Sequence, residues 1–436
     1  MTQLRTLAVF AALAIGAAAQ TPTEKDKEIQ DLKKRVEALE KEKGTGTPAA
    51  TDGAASPTWK DLVSLGGHLK WYGFLRLDSH YTDSAFDNAR FPTFVRAEEN
   101  IPFLAGVSAP ERNDDNFVMS ARLTRLGFDI DSGKIAMLGD ASATGKLEID
   151  FFALPSSESR AVPRLRHAYG KVGWDWLYVL FGQTSDMASP LNPSLNPDNV
   201  LWNWGNTGDR RPQVRVVAEP MVGDKLKFYI GVMGGQEGAI RNVDVDALGV
   251  MDGDDSGWPK VEGRLAISYQ NWVEKKWITL GLSGMTSEEQ VDGGGIGGRH
   301  IFRTDMWAVD FEFPILEQLS FRMEYWRGRN LADIRGGIGQ GVLADGSDIR
   351  ASGGWAELKV SPVKWYAATL GYSRDNPHEH NLPFGARSEN TVYYLMNTFT
   401  FDPFMVSVDI SHWRTEFVGL NAGRAWRYTL TLQLSF

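Results

Sequence analysis

Arg76, Arg122, Arg125, Arg164, Arg166, Arg215, Arg264 and Arg322 all fall in stretches of alternating polarity, and Lys146, Glu148 and Asp150 alternate with apolar residues in another. A guanidinium is a planar, permanently charged fork that bonds carboxylates and phosphates through paired hydrogen bonds. Rings of Arg or Lys are also how a pore favours anions. The pattern points to recognition or passage of small anions. A competing reading keeps the charges internal: the same arginines would pair with Glu148, Asp150, Glu262 and Glu324 as a structural network. Catalysis finds less support. The seven histidines form no dense cluster with nucleophiles, and there is no cysteine for thiolate chemistry. His378 and His380 share one loop, but a metal site usually needs three or four ligands. The chain therefore reads as a non-enzyme without metal or cofactor. Its net charge of −9 argues against a nucleic-acid partner.

The elements that would carry these arginines are amphipathic strands. In the last thirteen residues, Trp426, Tyr428, Leu430, Leu432, Leu434 and Phe436 share one face, and Arg427, Thr429, Thr431, Gln433 and Ser435 the other. That period of two fits a half-buried soluble strand or a membrane barrel. Aromatic residues at both ends of the apolar face, and a terminal Phe436, favour the barrel. Composition agrees: 42% hydrophobic residues is too polar for a helical membrane protein, whereas 45 Gly, 15 Trp, 12 Tyr and 22 Phe suit turns and aromatic girdles.

From residue 66 onward, alternating segments predict strands at 67–81, 117–130, 145–153, 163–172, 177–184, 211–219, 225–232, 260–270, 276–284, 302–313, 319–327, 350–360, 364–374, 389–401, 403–415 and 424–436. The fold class is all-β: a transmembrane, antiparallel, up-and-down barrel of about sixteen strands over 66–436. Short turns alternate with long connections, so an even strand count puts both chain ends on the short-turn, periplasmic side. Residues 131–144 read as a periplasmic turn of unusual length, and 117–130 and 163–172 alternate imperfectly, as strands with bulges do.

Upstream, 1–19 has a basic start, a short apolar run and an Ala-rich end, which predicts a cleaved secretory signal peptide. Within 20–43, Ile29, Leu32, Val36 and Leu39 form an a/d seam. So short a helix needs partners, most simply from identical subunits. Residues 44–65 read as a flexible linker.

Inside the barrel, arginine must avoid lipid, where it costs roughly 2–4 kcal/mol at the midplane. The alternation turns Lys70, Tyr72, Phe74, Arg76 and Asp78 inward, with Lys146, Glu148, Asp150, Gln213, Arg215, Glu262, Arg264, Ser268, Arg322 and Glu324. Loop 185–210 contains Ser-Pro and Asn-Pro turns that stiffen it, and Leu201, Trp202 and Trp204 need burial. With Arg210, Trp202 and Trp204 mark it as a constriction loop folded into the lumen. The alternative is a loop packed over the rim or across a subunit interface.

In order along the first half of the barrel stand Tyr72-Gly-Phe74, Arg125-Leu-Gly-Phe128, Glu148-Ile-Asp-Phe-Phe152, Arg164-Leu-Arg-His-Ala-Tyr-Gly170, Gly182-Gln-Thr184 and Arg211-Pro-Gln-Val-Arg215. This ordered set resembles the DcaP-like family of trimeric outer-membrane channels. The resemblance implies a homotrimer in the bacterial outer membrane, contact with its lipid, a periplasmic helical extension, and passage of small anionic solutes such as dicarboxylates. Phosphate-selective porins are similar in architecture. A sugar porin is the rival within the class, and an outer-membrane tether or a barrel enzyme the rivals outside it.

Overall fold

The computed structural model describes residues 68–99, 115–153, 158–195, 200–238, 252–273, 275–291, 298–343, 347–378 and 382–436. The leader, helix and linker expected at 1–65, and His380, lie outside the described residues.

The chain forms β1 (His68–Thr82), β2 (Asn116–Ser120), β3 (Arg125–Ile135), β4 (Ala141–Ala153), β5 (Val162–Gly173), β6 (Leu177–Ser185), β7 (Arg210–Ala218), β8 (Met221–Val222), β9 (Leu226–Gly235), β10 (Lys260–Gln270), β11 (Trp277–Val291), β12 (His300–Pro314), β13 (Leu319–Arg329), β14 (Arg350–Val363), β15 (Tyr366–Pro377), β16 (Arg387–Phe401), β17 (Phe404–Phe417) and β18 (Leu420–Ser435). All pairings between them are antiparallel. β2 and β3 pair with β1 on either side of a break at 121–124, so together they make one wall strand. β8 only extends the turn before β9. The wall therefore has sixteen strands. It closes where β1 meets β18, in register from Phe74 opposite Ser435 to Thr82 opposite Arg427. Closure leaves no unpaired edge, which a lipid environment requires.

The period-two pattern sorts side chains as expected. Leu75 and Leu265 are 54% and 57% exposed on the outer surface, while Arg76, Asp78, Glu148, Asp150, Glu262 and Arg264 are buried within the barrel. Trp174, Trp176, Trp272, Trp365 and Phe401 are exposed at the short turns, where an interfacial girdle belongs.

Two expectations are corrected. The stretch 131–144 is not one long turn: β3 runs to Ile135 and β4 starts at Ala141. β11 likewise continues to Val291 rather than ending near 284. In both places polar residues occupy both faces of the strand, so alternation of polarity fails although the backbone ladder continues. The irregular strands have local causes. In the β4–β5 pairing Glu148 faces His167 and Ile149 faces Leu165, which leaves Arg166 as an extra residue on the bulged strand.

Candidate functional site

The bulge matters because it turns Arg166 and His167 toward the same stretch of β4. Arg166 donates from Nε to Glu148 Oε1 at 2.6 Å and from Nη1 to Asp150 Oδ2 at 2.8 Å. Arg164 grips Asp150 with two bonds, Nε to Oδ1 at 2.9 Å and Nη2 to Oδ2 at 2.6 Å. Arg125, at the start of β3, stands 3.4 Å from Glu148. Tyr72 donates to the other Glu148 oxygen at 2.8 Å and accepts from Lys146 Nζ at 3.1 Å. Arg122 sits in the β2–β3 break, buried, with its guanidinium 4.5 Å from the Phe152 ring centre; that of Arg164 lies 5.2 Å from the same ring. Arg122, Arg125, Lys146, Arg164 and Arg166 thus surround two carboxylates, with Asp129 a third at Lys146. The cluster keeps net positive charge beside aromatic faces.

The other arginines occupy separate places. Arg76 folds back on Asp78 at 2.8 Å. Arg264 pairs with Asp310, and Arg322 with Glu357 at 2.7 Å. Arg215 donates to the Gln213 side chain at 3.0 Å and to the Ser185 carbonyl at 2.5 Å, both neutral acceptors. Pairing of Arg164 and Arg166 with Glu148 and Asp150 matches the structural-network reading. Pairing of arginine with Glu262 or Glu324 does not occur among the described residues. Those two carboxyls hold a loop instead.

The described parts of that loop, 186–195 and 200–209, run inside the barrel, the first along a ladder of wall glutamates. Glu262 on β10 accepts the N–H groups of Met187 at 2.6 Å and Ala188 at 2.9 Å. Glu324 on β13 accepts Ser189 Oγ–H at 2.7 Å and Leu191 N–H at 2.8 Å. Glu357 on β14 accepts the N–H and, at 3.0 Å, the hydroxyl of Ser194, and also the Tyr394 hydroxyl at 2.7 Å. Farther along, the Trp204 indole donates to the Pro92 carbonyl at 2.8 Å and packs edge-on against Trp413 of β17, ring centres 4.6 Å apart. Trp204 is therefore a fully buried anchor in the wall rather than a lumen surface. Gly205 has φ +115°, and a Cβ there would stand 2.5 Å from the Gly354 carbonyl and 2.6 Å from that of Arg374. Only glycine lets the loop lie this close to β14 and β15.

At the loop's base, Arg211 binds Asp186 at 2.6 Å and Asp333 at 2.7 Å, tying it to the 330–349 connection. Arg210 and Arg335 both lie over the Trp202 ring, at 5.8 and 5.1 Å, and both pair with Asp209. Phe91, from the connection after β1, stands between Trp202 and Phe152, ring centres 6.3 and 5.9 Å away. The same connection holds Asp87, whose carboxyl burial pushes above its ordinary range although Thr93 and Phe94 donate to it. On the short-turn side, one cavity of about 710 Å³ is lined by Arg76, Ser194, Lys359, Tyr366 and Asp409. A second, of about 550 Å³, is lined by Lys227, Lys276, Glu312 and Arg322.

Sequence reasoning missed Asp310 and Glu357 as partners, although both hold inward parity on their strands. It also missed the glutamate ladder, which needs the route of the loop.

A closed antiparallel barrel of sixteen strands, apolar outside, polar within and entered by its own loop, is a porin-type channel in architecture. No protein-family model matches the sequence, and no curated relative matches it either. Among solved structures, the outer membrane channel DcaP of Acinetobacter baumannii is similar at TM-score 0.65 with 17% identity, over 85% of this chain and 98% of that one. An anion-selective porin from Comamonas acidovorans gives 0.54 with 10% identity, over 85% and 100%. OmpF of Salmonella typhi, in complex with daunomycin, gives 0.52 with 12%, over 85% and 98%. At these identities the likeness establishes the fold.

Proposed function

We propose that this chain is an outer-membrane channel for small hydrophilic solutes and that its lumen favours anions, in particular organic acids. The observation that carries the reading is the β3–β5 arginine cluster beside the inward loop, where basic side chains outnumber carboxylates. Arg215, held only by neutral acceptors, extends the basic lining, and Arg76, Arg264 and Arg322 line the lumen as pairs with Asp78, Asp310 and Glu357. Glu148 and Asp150 orient the cluster, and loop 186–209, anchored by Trp204, sets the constriction with Trp202 and Arg210. Buried Phe152 holds the Arg122 and Arg164 guanidiniums against its ring, and their planar forks suit the paired hydrogen bonds of a carboxylate. On this reading residues 1–19 are removed on export, 20–43 form a periplasmic helix bundle, and the protein works as a homotrimer.

The test is electrical. Purified protein in a planar bilayer under a salt gradient should give a reversal potential of anionic sign, and a dicarboxylate should block chloride current at lower concentration than phosphate does. A reversal potential of cationic sign removes the anion reading. Absence of any conductance favours a tether, and block by oligosaccharide in place of dicarboxylate favours a sugar porin.

A further inference from the structure

The lumen accounts for the inward arginines, but a second set points the other way. On the outer surface, Tyr372, Tyr393, His412 and Trp426 lie side by side across β15, β16, β17 and β18. One pleat farther toward the long loops, the outward positions in register are Arg374, Thr391, Arg414 and Arg424. On β14 and β13 the positions in register with Arg374 are Gly354 and Tyr325, and outward arginines stand farther toward the long loops, Arg327 by one pleat and the Arg329–Arg350 pair by two. Outward positions at the same end of β5, β6, β7, β9 and β10 are Leu165, Gln183, Pro212, Gly234 and Val261, so the basic row is confined to one side of the barrel.

Two features say that this row faces an anion. Arg329 stands directly opposite Arg350, and Arg414 directly opposite Arg424. Like charges opposed across an antiparallel pair destabilise it unless something neutralises them. Arg329 has Asp305 and Asp348, Arg414 has Glu416, and Arg374 has Glu389. Arg327, Arg350 and Arg424 are exposed and have no carboxylate partner among the described residues. Their height completes the argument. Outward aromatic residues mark the membrane interface, Tyr372 to Trp426 on β15–β18 and Tyr325 against Trp307 on β13 and β12. Arg414 and Arg424 stand one pleat above them, and Arg327 one and Arg350 two pleats above the level of Tyr325. All therefore lie at or beyond the lipid headgroups, past the depth at which lipid-facing charge is costly.

We propose that Arg327, Arg350 and Arg424, with their paired neighbours, bind the phosphate groups of outer-leaflet lipid, whose acyl chains lie against the aromatic and aliphatic band beneath. A guanidinium pair separated by one interstrand spacing, about 5 Å, can share a single phosphate. The inference rests on the membrane orientation given under Proposed function, but not on the pore's selectivity.

The experiment uses the full-length protein in detergent micelles, titrated with fluorescent diphosphorylated lipid A, with its dephosphorylated counterpart, and with inorganic phosphate as competitor. Diphosphorylated lipid should bind at least tenfold more tightly than the dephosphorylated form. The variant R327Q/R350Q/R424Q should lose affinity on the order of a hundredfold, about fivefold per arginine, with conductance and anion/cation ratio kept at the wild-type values. Should that variant fail to fold, Arg424→Gln and Arg350→Gln alone should each lose about fivefold. Equal binding of both lipids, or unchanged binding by the variants, overturns the proposal. So does displacement of the lipid by equimolar inorganic phosphate, which would make the free ion the ligand. A protein that binds phosphorylated lipid yet forms no pore would sink the channel reading and leave this one standing.

Discussion

The Glu324 carboxyl is the middle rung of the ladder that holds loop 186–209 against the wall, so Glu324→Ala should release the loop while leaving the barrel closed. Two loop donors, Ser189 Oγ–H at 2.7 Å and Leu191 N–H at 2.8 Å, lose their acceptor, and the Trp355 indole loses one at 3.3 Å. A buried donor left unsatisfied costs about 1–3 kcal/mol. Lumen water can reach the site once the side chain is shortened, so the lower end applies to the two loop donors, about 2 kcal/mol together. That is roughly a thirtyfold rise in the undocked population, at tenfold per 1.4 kcal/mol. Single-channel recording should show a larger open conductance with frequent transitions between levels, while the heat-modifiable mobility of the barrel is unchanged. Gly205→Ala should act the same way from the far end of the loop, because its Cβ meets the Gly354 carbonyl and the Ser373 hydroxyl, each 2.5 Å away. If both variants conduct as quietly and at the same level as wild type, loop 186–209 is not the constriction, and the proposed route of solute past it is wrong.

Arg164→Gln with Arg166→Gln should lower the anion/cation permeability ratio, more at low salt than at high, since screening acts over about 10 Å at 0.1 M. The same pair should also lose stability, by about 3–5 kcal/mol, because Asp150 is left buried without either guanidinium while Glu148 keeps Arg125 and Tyr72. Arg215→Gln, which abandons only neutral acceptors, should shift the ratio with little change in melting temperature. Leu432→Asp places a charge on the lipid face between Leu77 and Val406, and deletion of Phe436 removes its main-chain bonds to Gly73 at 3.0 and 3.2 Å. Both should reduce the yield of heat-modifiable barrel, and normal yields would refute the terminal-strand argument. Because burial raises the Asp87 pKa in the folded chain, its contribution to docking of the 83–99 connection is complete below the unfolded value near 3.9 and is lost as pH rises through the folded one. Conductance noise should therefore grow with rising pH in wild type and lose that slope in Asp87→Asn. Cross-linking in native membranes should yield trimers, and a variant lacking 20–57 should still fold as a barrel; monomers alone would remove the homotrimer.

The sequence by itself determined the wall. Period-two alternation is a local property, so Leu75, Leu265 and Leu432 could be assigned to lipid and Arg76, Glu148 and Arg264 to the lumen from neighbours within a few residues. The strand number followed from counting such segments between turns. The end of β3 is exposed on both faces and the end of β11 buries polar Ser287 and Gln290, so in both places the alternation disappears, and the ends were missed for that reason. Tertiary structure alone decided who meets whom along the wall and across the lumen. Arg264 finds Asp310 and Arg322 finds Glu357 through the interstrand register, which no local pattern encodes. The Arg166 bulge depends on how β4 and β5 align. The ladder of Glu262, Glu324 and Glu357 depends on a loop crossing the barrel to strands far along the chain. Its donors are mainly backbone N–H groups, which every residue type but proline carries, so their side chains could not announce the contact.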